Sequence, residues 1–412
     1  MKIIADLHIH SKYSRGCSRG LELPVIAQWC QRKGIDLVTT GDCTHPKWLE
    51  SIKESLTEAE PGFYQLKDKS SKTRFIIGTE ISCIYKQGDK CRRIHIVLLF
   101  PSIEAAEKVN QALIARGCNL KSDGRPIIGL SAKELAKLCW ETDEKILVIP
   151  AHAWTPWFSI FGSKSGFDSI EECFEELSDK IYAIETGLSS DPPMNWRLSQ
   201  LDKIFLVSNS DAHSPANLGR EANVFDFPKN KFSYDGLLRI LSERDKKSFL
   251  YTIEFFPEEG KYHIDGHADC GFSCLPAESI KNNNRCPKCG KSLILGVLNR
   301  VNALADRENV QPENFVAYKN IIPLQEIIAT VYGVGKQSKK VIQKYLELTD
   351  KTNEFSILLD VDKIELNKLA GPELTTAIMK MRRGEVTIAA GYDGIYGKIE
   401  LKLDKPKQNK LI

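Results

Sequence analysis

Seven short runs dense in Ile, Val and Leu punctuate the first 215 residues: KIIADLH, DLVTTGD, RFIIGTEIS, RIHIVLLF, ILVIPAH, YAIETG and IFLVSNSD. Near-continuous apolar runs of this length mark strands buried on both faces, as in parallel sheets. Helical patterns such as LPVIAQWCQRKGI, SAKELAKLCW and SIEECFEELSDKI separate most of them. Strand–helix alternation predicts an α/β fold, and seven strands favour a closed barrel over an open sheet.

What ends each run narrows the chemistry. His8 and His10 follow the first run, Asp42 with His45 close behind the second, and Glu80 the third. His95 lies within or at the end of the fourth, His152 follows the fifth, Glu185 the sixth, and Asp211 with His213 the seventh. Six of the eight histidines fall in this set, which independent core histidines would not produce. In a βα barrel the C-terminal ends of the strands converge on one face. The i, i+2 residues of HIH and DAH also point the same way. Imidazole and carboxylate suit zinc, manganese, magnesium or iron. The donors exceed what one ion needs, so two or three divalent ions are expected. Asp42 and Glu185 are candidates either for direct ligands or for groups that orient the imidazoles. Adjacent divalent ions clamp a phosphate and supply a nucleophile near neutral pH, so phosphoester hydrolysis is the expected chemistry. Asp211 and His213 are then candidate general bases, and Arg220 and Arg197 candidate phosphate ligands.

The remaining motifs point to nucleic acid. Of twelve cysteines, eight are scattered between Cys17 and Cys173 without CxxC spacing and read as reduced thiols. Cys270, Cys274, Cys286 and Cys289 form C-x3-C-x11-C-x2-C, the spacing of one structural zinc, with His267 as an alternative to Cys274. A ribbon this small depends on its metal to fold. Farther on, IPLQEIIATVYGVGKQSKKVIQKYLEL reads as two helices about a turn at Gly333 and Gly335. The backbone N–H groups of such a turn, with Lys336, Lys339 and Lys340, suit nucleic-acid phosphates. The chain closes with a hairpin-like GYDGIYGKIELKL and a basic KPKQNK. Residues 261–412 carry 23 Lys+Arg against 18 Asp+Glu, whereas residues 1–260 carry 34 against 36, a basic tilt that fits a polyanion. After His152, AWTPWFSIFGSKSGF places Trp154 and Trp157 at the expected rim, where aromatics either stack on an extruded base or pack the loop. No run of about 18 apolar residues exists and MKIIADLHIHS lacks a signal-peptide pattern. A cytoplasmic protein without membrane association is expected.

HIH, the Asp42–His45 pair, Glu80, His95, His152 and DAH together resemble the ligand set of the polymerase and histidinol phosphatase (PHP) metallohydrolases. The resemblance implies a distorted seven-stranded βα barrel with a trinuclear site. It places His8, His10, Glu80 and Asp211 around one ion, Glu80, His95 and His152 around a second, and His45 with His213 at a third. Many members carry a further His or acidic ligand after HxH, and here that stretch reads SKYSRGC.

The order of parts is similar to the endonuclease Q family across nearly the whole chain. A PHP barrel with GDCTHPKW and HAWTPWF is followed by DGHADCG, CPKCGKSLILGVL and GVGKQSKKV. That resemblance implies cleavage of DNA 5′ to deaminated bases (uracil, hypoxanthine, xanthine) or abasic sites. The expected organisation is a barrel over 1–225, a connector over 226–260, a zinc ribbon over 261–300 and a helical DNA-binding region over 301–412. Double- or single-stranded DNA with a damaged base is the expected partner of a monomer, with a sliding clamp or other repair proteins as further candidates. Two rival readings are a histidinol-phosphatase-like small-molecule phosphatase and a DNA-binding scaffold with an inert barrel. The first leaves the ribbon and basic helical region without a role, the second the near-complete ligand set.

Overall fold

The computed structural model describes residues 1–402 apart from 309 and 314; the basic stretch KPKQNK lies outside the described residues. All seven apolar runs form strands: β1 (Lys2–Asp6), β2 (Leu37–Thr39), β3 (Arg74–Gln87), β4 (Lys90–Phe100), β5 (Leu147–Pro150), β6 (Ala183–Glu185) and β7 (Phe205–Val207). They stand side by side in chain order. β1–β2, β2–β3 and β6–β7 pair in parallel. The bond from Ala153 N–H to the Glu185 carbonyl, 2.9 Å, joins the end of β5 to β6. A parallel bridge between Ile9 and Ala212 brings the chain after β7 back to the chain after β1. The ring encloses one apolar core to which every strand contributes, including Ala5, Leu37, Ile76, Val97, Ile149, Ala183 and Val207.

β4 departs from the parallel pattern. It is antiparallel to both β3 and β5, because a two-residue turn at Gly88 (φ +58°) and Asp89 joins it to β3, and a parallel pair needs a crossover of a dozen residues or more. The ring is also distorted between β1 and β7. There the amides of two asparagines replace ladder bonds: Leu7 N–H donates to Asn209 Oδ1 at 2.9 Å, and Asn223 Nδ2 donates to the Ser208 carbonyl and to Asn209 Oδ1, both at 2.8 Å.

The sheet continues beyond the ring. β8 (Ala222–Asp226) pairs antiparallel with β1, β9 (Phe249–Glu254) antiparallel with β8, and β10 (Ala317–Asn320) parallel with β9. Residue 226, where the connector was expected to begin, is thus the last residue of a strand of this sheet. The helix Tyr234–Ser242 closes the end of the barrel opposite the histidines: Tyr234, Leu237, Ile240 and Leu241 are buried in the barrel core, and the Tyr234 hydroxyl donates to the Leu99 carbonyl at 2.7 Å.

α1 (Leu23–Lys33) carries the helical region. α2 (Leu324–Tyr332) and α3 (Lys339–Thr349) form the predicted hairpin. Lys33 and Glu354 make an almost fully buried ion pair at 2.7 Å. Glu354 also accepts from Leu324 N–H at 2.9 Å and the Tyr345 hydroxyl at 2.7 Å. Removing one partner of such a pair costs about 3–5 kcal/mol, so the helical region is fixed to the barrel. No described helix is long and apolar enough to cross a membrane.

Candidate metal centre and nucleic-acid interface

The strand ends deliver their histidines and carboxylates to one pocket. One group is His8, His10, Glu80 and Asp211; a second is Glu80, His95 and His152. Within the first, His10 Nε2 lies 3.2 Å from Glu80 Oε2 and 3.1 Å from Asp211 Oδ1, and His8 Nε2 lies 3.5 and 3.7 Å from the same atoms. Within the second, Glu80 Oε1 lies 2.7 Å from His95 Nδ1 and 3.1 Å from His152 Nε2. Glu80 therefore presents one oxygen to each group.

Backbone conformation helps to aim these side chains. Asp42, His152 and Asp211 all have positive φ, 48°, 30° and 44°, a region costly for residues with a Cβ and common at functional sites. Two glycines make room. A Cβ on Gly41 would meet the Ile9 carbonyl at 2.3 Å, and one on Gly187 would meet the His152 Cβ at 2.6 Å.

The donor set fits divalent metal. His8 Nε2, His10 Nε2 and Asp211 Oδ1 are buried without a hydrogen-bond partner, although burying unpaired polar atoms is costly. The His10 and His8 nitrogens lie 3.1 and 3.7 Å from the Asp211 oxygen without forming a hydrogen bond to it, and a cation shared among them would satisfy all three. Burial opposes charge on His8 and His10, yet the surrounding carboxylates hold both pKa values well above the ordinary imidazole value. Burial likewise opposes ionisation of Glu80 and Asp211, but the imidazoles, with Arg125 at Glu80, hold both well below the usual carboxylate range. His95 falls to about 4, chiefly through burial, which leaves the ring neutral.

Asp42 and Glu185, expected among the ligands, stand one layer behind. Asp42 Oδ1 sits 3.0 Å from His10 Nδ1, and its Oδ2 accepts from Ser11 N–H, Ser11 Oγ and Ser14 Oγ at 2.7–2.9 Å. Glu185 lies 3.1 Å from His8 Nδ1 and accepts from His152 N–H at 2.7 Å and Asn209 Nδ2 at 2.9 Å. Their oxygens are already engaged, and the partner each gives to a ligand imidazole fixes its tautomer and orientation.

The expected third pair does not assemble into a group of three among the described residues. The His45 ring stacks on Tyr13 at 4.3 Å, and His213 lies beside His10, ring centres 4.7 Å apart. Arg220 was a candidate phosphate ligand, but it spends its guanidinium on the carbonyls of Ser210 and Asp211, at 2.8 and 3.3 Å. It holds the turn that carries Asp211. Arg125 had no signal in the sequence. It sits in an irregular loop and donates to Glu80 Oε2 at 3.1 Å.

The nucleic-acid candidates separate in the same way. Trp154 is buried, donates to Asn195 at 2.7 Å and packs on Phe161, so it cannot meet a base. Trp157 is 45% exposed. Arg197 donates to the Asn302 side chain. Gly333, φ +64°, ends α2 in the left-handed region, and Gly335 is exposed beside it. Lys336 pairs with Glu326 at 2.9 Å, Lys340 lies 4.2 Å over the Tyr332 ring, and Lys339 opens α3.

In the ribbon the converging donors are His267, Cys270, Cys286 and Cys289. Cys274 was the expected fourth donor with His267 as its alternative, and it is His267 that joins the group. The hairpin Asp265–His267/Phe272–Cys274 pairs Cys274 with Asp265, at the opposite end from His267, and buries Cys274 against Cys286 and Leu293. Three thiols and an imidazole are a fitting set for zinc. Burial opposes ionisation of the Cys286 thiol, but the backbone N–H groups of Lys288 and Cys289, together with the Cys289 and Cys270 thiols, bring its pKa below the ordinary thiol value.

A family model described as the MJ0043 C-terminal domain matches residues 323–385. The uncharacterized protein MJ0043 of Methanocaldococcus jannaschii is 34% identical over 257 residues, 62% of this chain, which spans only 32% of that longer protein. The uncharacterized YqxK of Bacillus subtilis is 28% identical over 97% of this chain and 99% of its own. Among solved structures, the lesion-specific endonuclease PfuEndoQ of Pyrococcus furiosus superposes with a TM-score of 0.87 at 30% identity, covering 100% of this chain and 98% of its own. Endonuclease Q in complex with a 27-mer duplex carrying an abasic lesion at the active site superposes with a TM-score of 0.85, again at 30% identity and with full coverage of both chains.

Proposed function

The chain belongs to the endonuclease Q family, and on that premise we propose that it is a DNA-repair endonuclease. It hydrolyses the phosphodiester bond 5′ to a deaminated base (uracil, hypoxanthine or xanthine) or an abasic site in a metal-dependent reaction. The observation that carries this reading is the pair of donor groups sharing Glu80, with three buried ligand atoms left unpartnered.

His8, His10, Glu80 and Asp211 would hold one divalent ion, and Glu80, His95 and His152 a second. Such ions, when bound, polarise the phosphoryl oxygens and lower the pKa of water. The chain's own residues do the rest. Asp42 and Glu185 fix the imidazole faces of His10 and His8. Arg125, 3.1 Å from Glu80, places a fixed positive charge at the rim of the first group, where a phosphate's negative charge would come to rest. His213 is one-third exposed, and its pKa is lowered chiefly by burial. It is a neutral imidazole at the mouth of the site, suited to accept or return a proton near neutral pH. Asp211, held strongly ionised, suits a ligand better than a base. The ribbon and helical region would grip the duplex while the damaged nucleotide leaves the stack, which costs least where pairing is already weak.

A labelled duplex carrying one uracil tests this. The expected result is a metal-dependent nick on the 5′ side of the uracil and none in the matching undamaged duplex. Equal nicking of both, or hydrolysis of small phosphomonoesters alone, contradicts it.

A further inference from the structure

A cavity of about 390 Å³ opens along the first residues of β4, where Arg93 stands two residues before His95. Lys90, Arg92, Arg93, Lys164 and Arg300 line it against one carboxylate, Asp168, which Arg300 already engages at 2.6 Å. Arg92 is tied to the Gly166 carbonyl and packs on the Phe167 ring. Lys90, Arg93 and Lys164 have no carboxylate partner among the described residues. Three uncompensated cations in one trough repel one another, which an anionic occupant relieves.

Position relative to the metal ligands says which anion. Arg93 and His95 are i and i+2 on β4, so they point to the same face, and two residues of an antiparallel strand span roughly 7 Å. The Arg93 guanidinium lies 5.7 Å over the Phe158 ring, and Phe158 packs on His95 with ring centres 4.7 Å apart. The aromatic ring holds the guanidinium at the edge of the second donor group. Lys90 and Lys164 extend the charge outward, and the exposed Trp157 forms part of the wall.

Resting on the proposed function, we infer that this trough holds the DNA backbone next to the incised bond. Arg93 takes the adjoining phosphate, and Lys164 and Lys90 continue along the same strand. This lane begins at Arg93, which the Phe158 ring links to His95, on the hairpin of β3 and β4. The lysines of the α2–α3 hairpin are a separate feature.

The test uses full-length protein and two variants, Arg93→Ala with Lys164→Ala, and Lys164→Glu alone. The second is an exposed loop change that keeps the experiment decisive if the first folds poorly. Affinity for an intact duplex is measured by fluorescence anisotropy over a salt series, and kcat and KM on the uracil duplex. Each cation lost should make the log–log salt dependence shallower by about 1 and raise KM, with little change in kcat. An unchanged slope, or a loss confined to kcat, overturns the inference. If the wild-type protein nicks no lesion duplex, the proposed function falls while the salt slope still decides the lane.

Discussion

The two candidate metal centres differ in what surrounds them. The barrel cluster sits on a ring whose seven strands already share a core, with carboxylates and hydroxyls arranged behind its histidines. The ribbon has a core of three buried residues, Cys274, Cys286 and Leu293, with Cys270 and Phe272 packed against them. An ion in the first would be held by a structure that stands without it. An ion in the second would hold the structure together. Under the proposed function, chemistry would belong to the first, where buried donor atoms are left without a hydrogen-bond partner, and folding to the second.

That contrast can be broken in several places, the largest effect first. His8→Ala should abolish lesion-dependent nicking, by about 1,000-fold or more as for loss of a principal electrostatic catalytic group, while the circular-dichroism spectrum and the ribbon's zinc stay as in the wild type. A variant that nicks normally would remove the barrel from the reaction. Cys286→Ser should have the opposite character: zinc released, protease cleavage within 261–300, and barrel metal content retained. If the barrel loses its ions too, the centres are not independent.

A middling effect is expected from the layer behind the ligands. Asp42→Asn or Glu185→Gln should weaken barrel metal binding about 10- to 100-fold, measurable by chelator competition, with the fold intact. A loss as complete as that of His8→Ala would make these residues ligands after all.

pH gives a sign rather than a size. In the metal-free barrel the pKa values of His8 and His10 are raised. The stability they contribute is therefore present below the ordinary imidazole value and lost as pH climbs through the raised one. Metal displaces those protons, so the loaded protein should gain stability over the same rise. Melting temperatures of chelated and loaded protein should move in opposite directions across the near-neutral range; parallel profiles would separate the histidines from the metal. The smallest effect is expected from Cys274→Ala. It should keep the zinc, whereas His267→Ala should release it.

Much of the site was legible because strand ends and ligands coincide. An apolar run followed at once by HIH or DAH states both the strand and its purpose, and all seven runs became strands. What escaped depended on side chains meeting across the fold. Whether Asp42 binds metal or an imidazole depends on Ser11 and Ser14 having already engaged its oxygens. Arg125 carries no periodic signal and matters only because its loop passes Glu80. Trp154 and Trp157 are three residues apart in one motif, yet one is buried and the other exposed. The choice between His267 and Cys274 turned on hairpin register. The antiparallel β4 was readable in principle from the short QGDK turn, which is too short for a crossover.

Glu80 is the residue both barrel groups share, so metal analysis of purified wild-type and Glu80→Ala protein, with uracil-duplex nicking measured on the same samples, tests the account most directly. The account predicts that the variant loses more than one ion per chain together with all nicking, while the zinc of the thiol site remains. A wild-type protein containing only that one zinc, or a Glu80→Ala protein that still nicks the uracil strand, would contradict it.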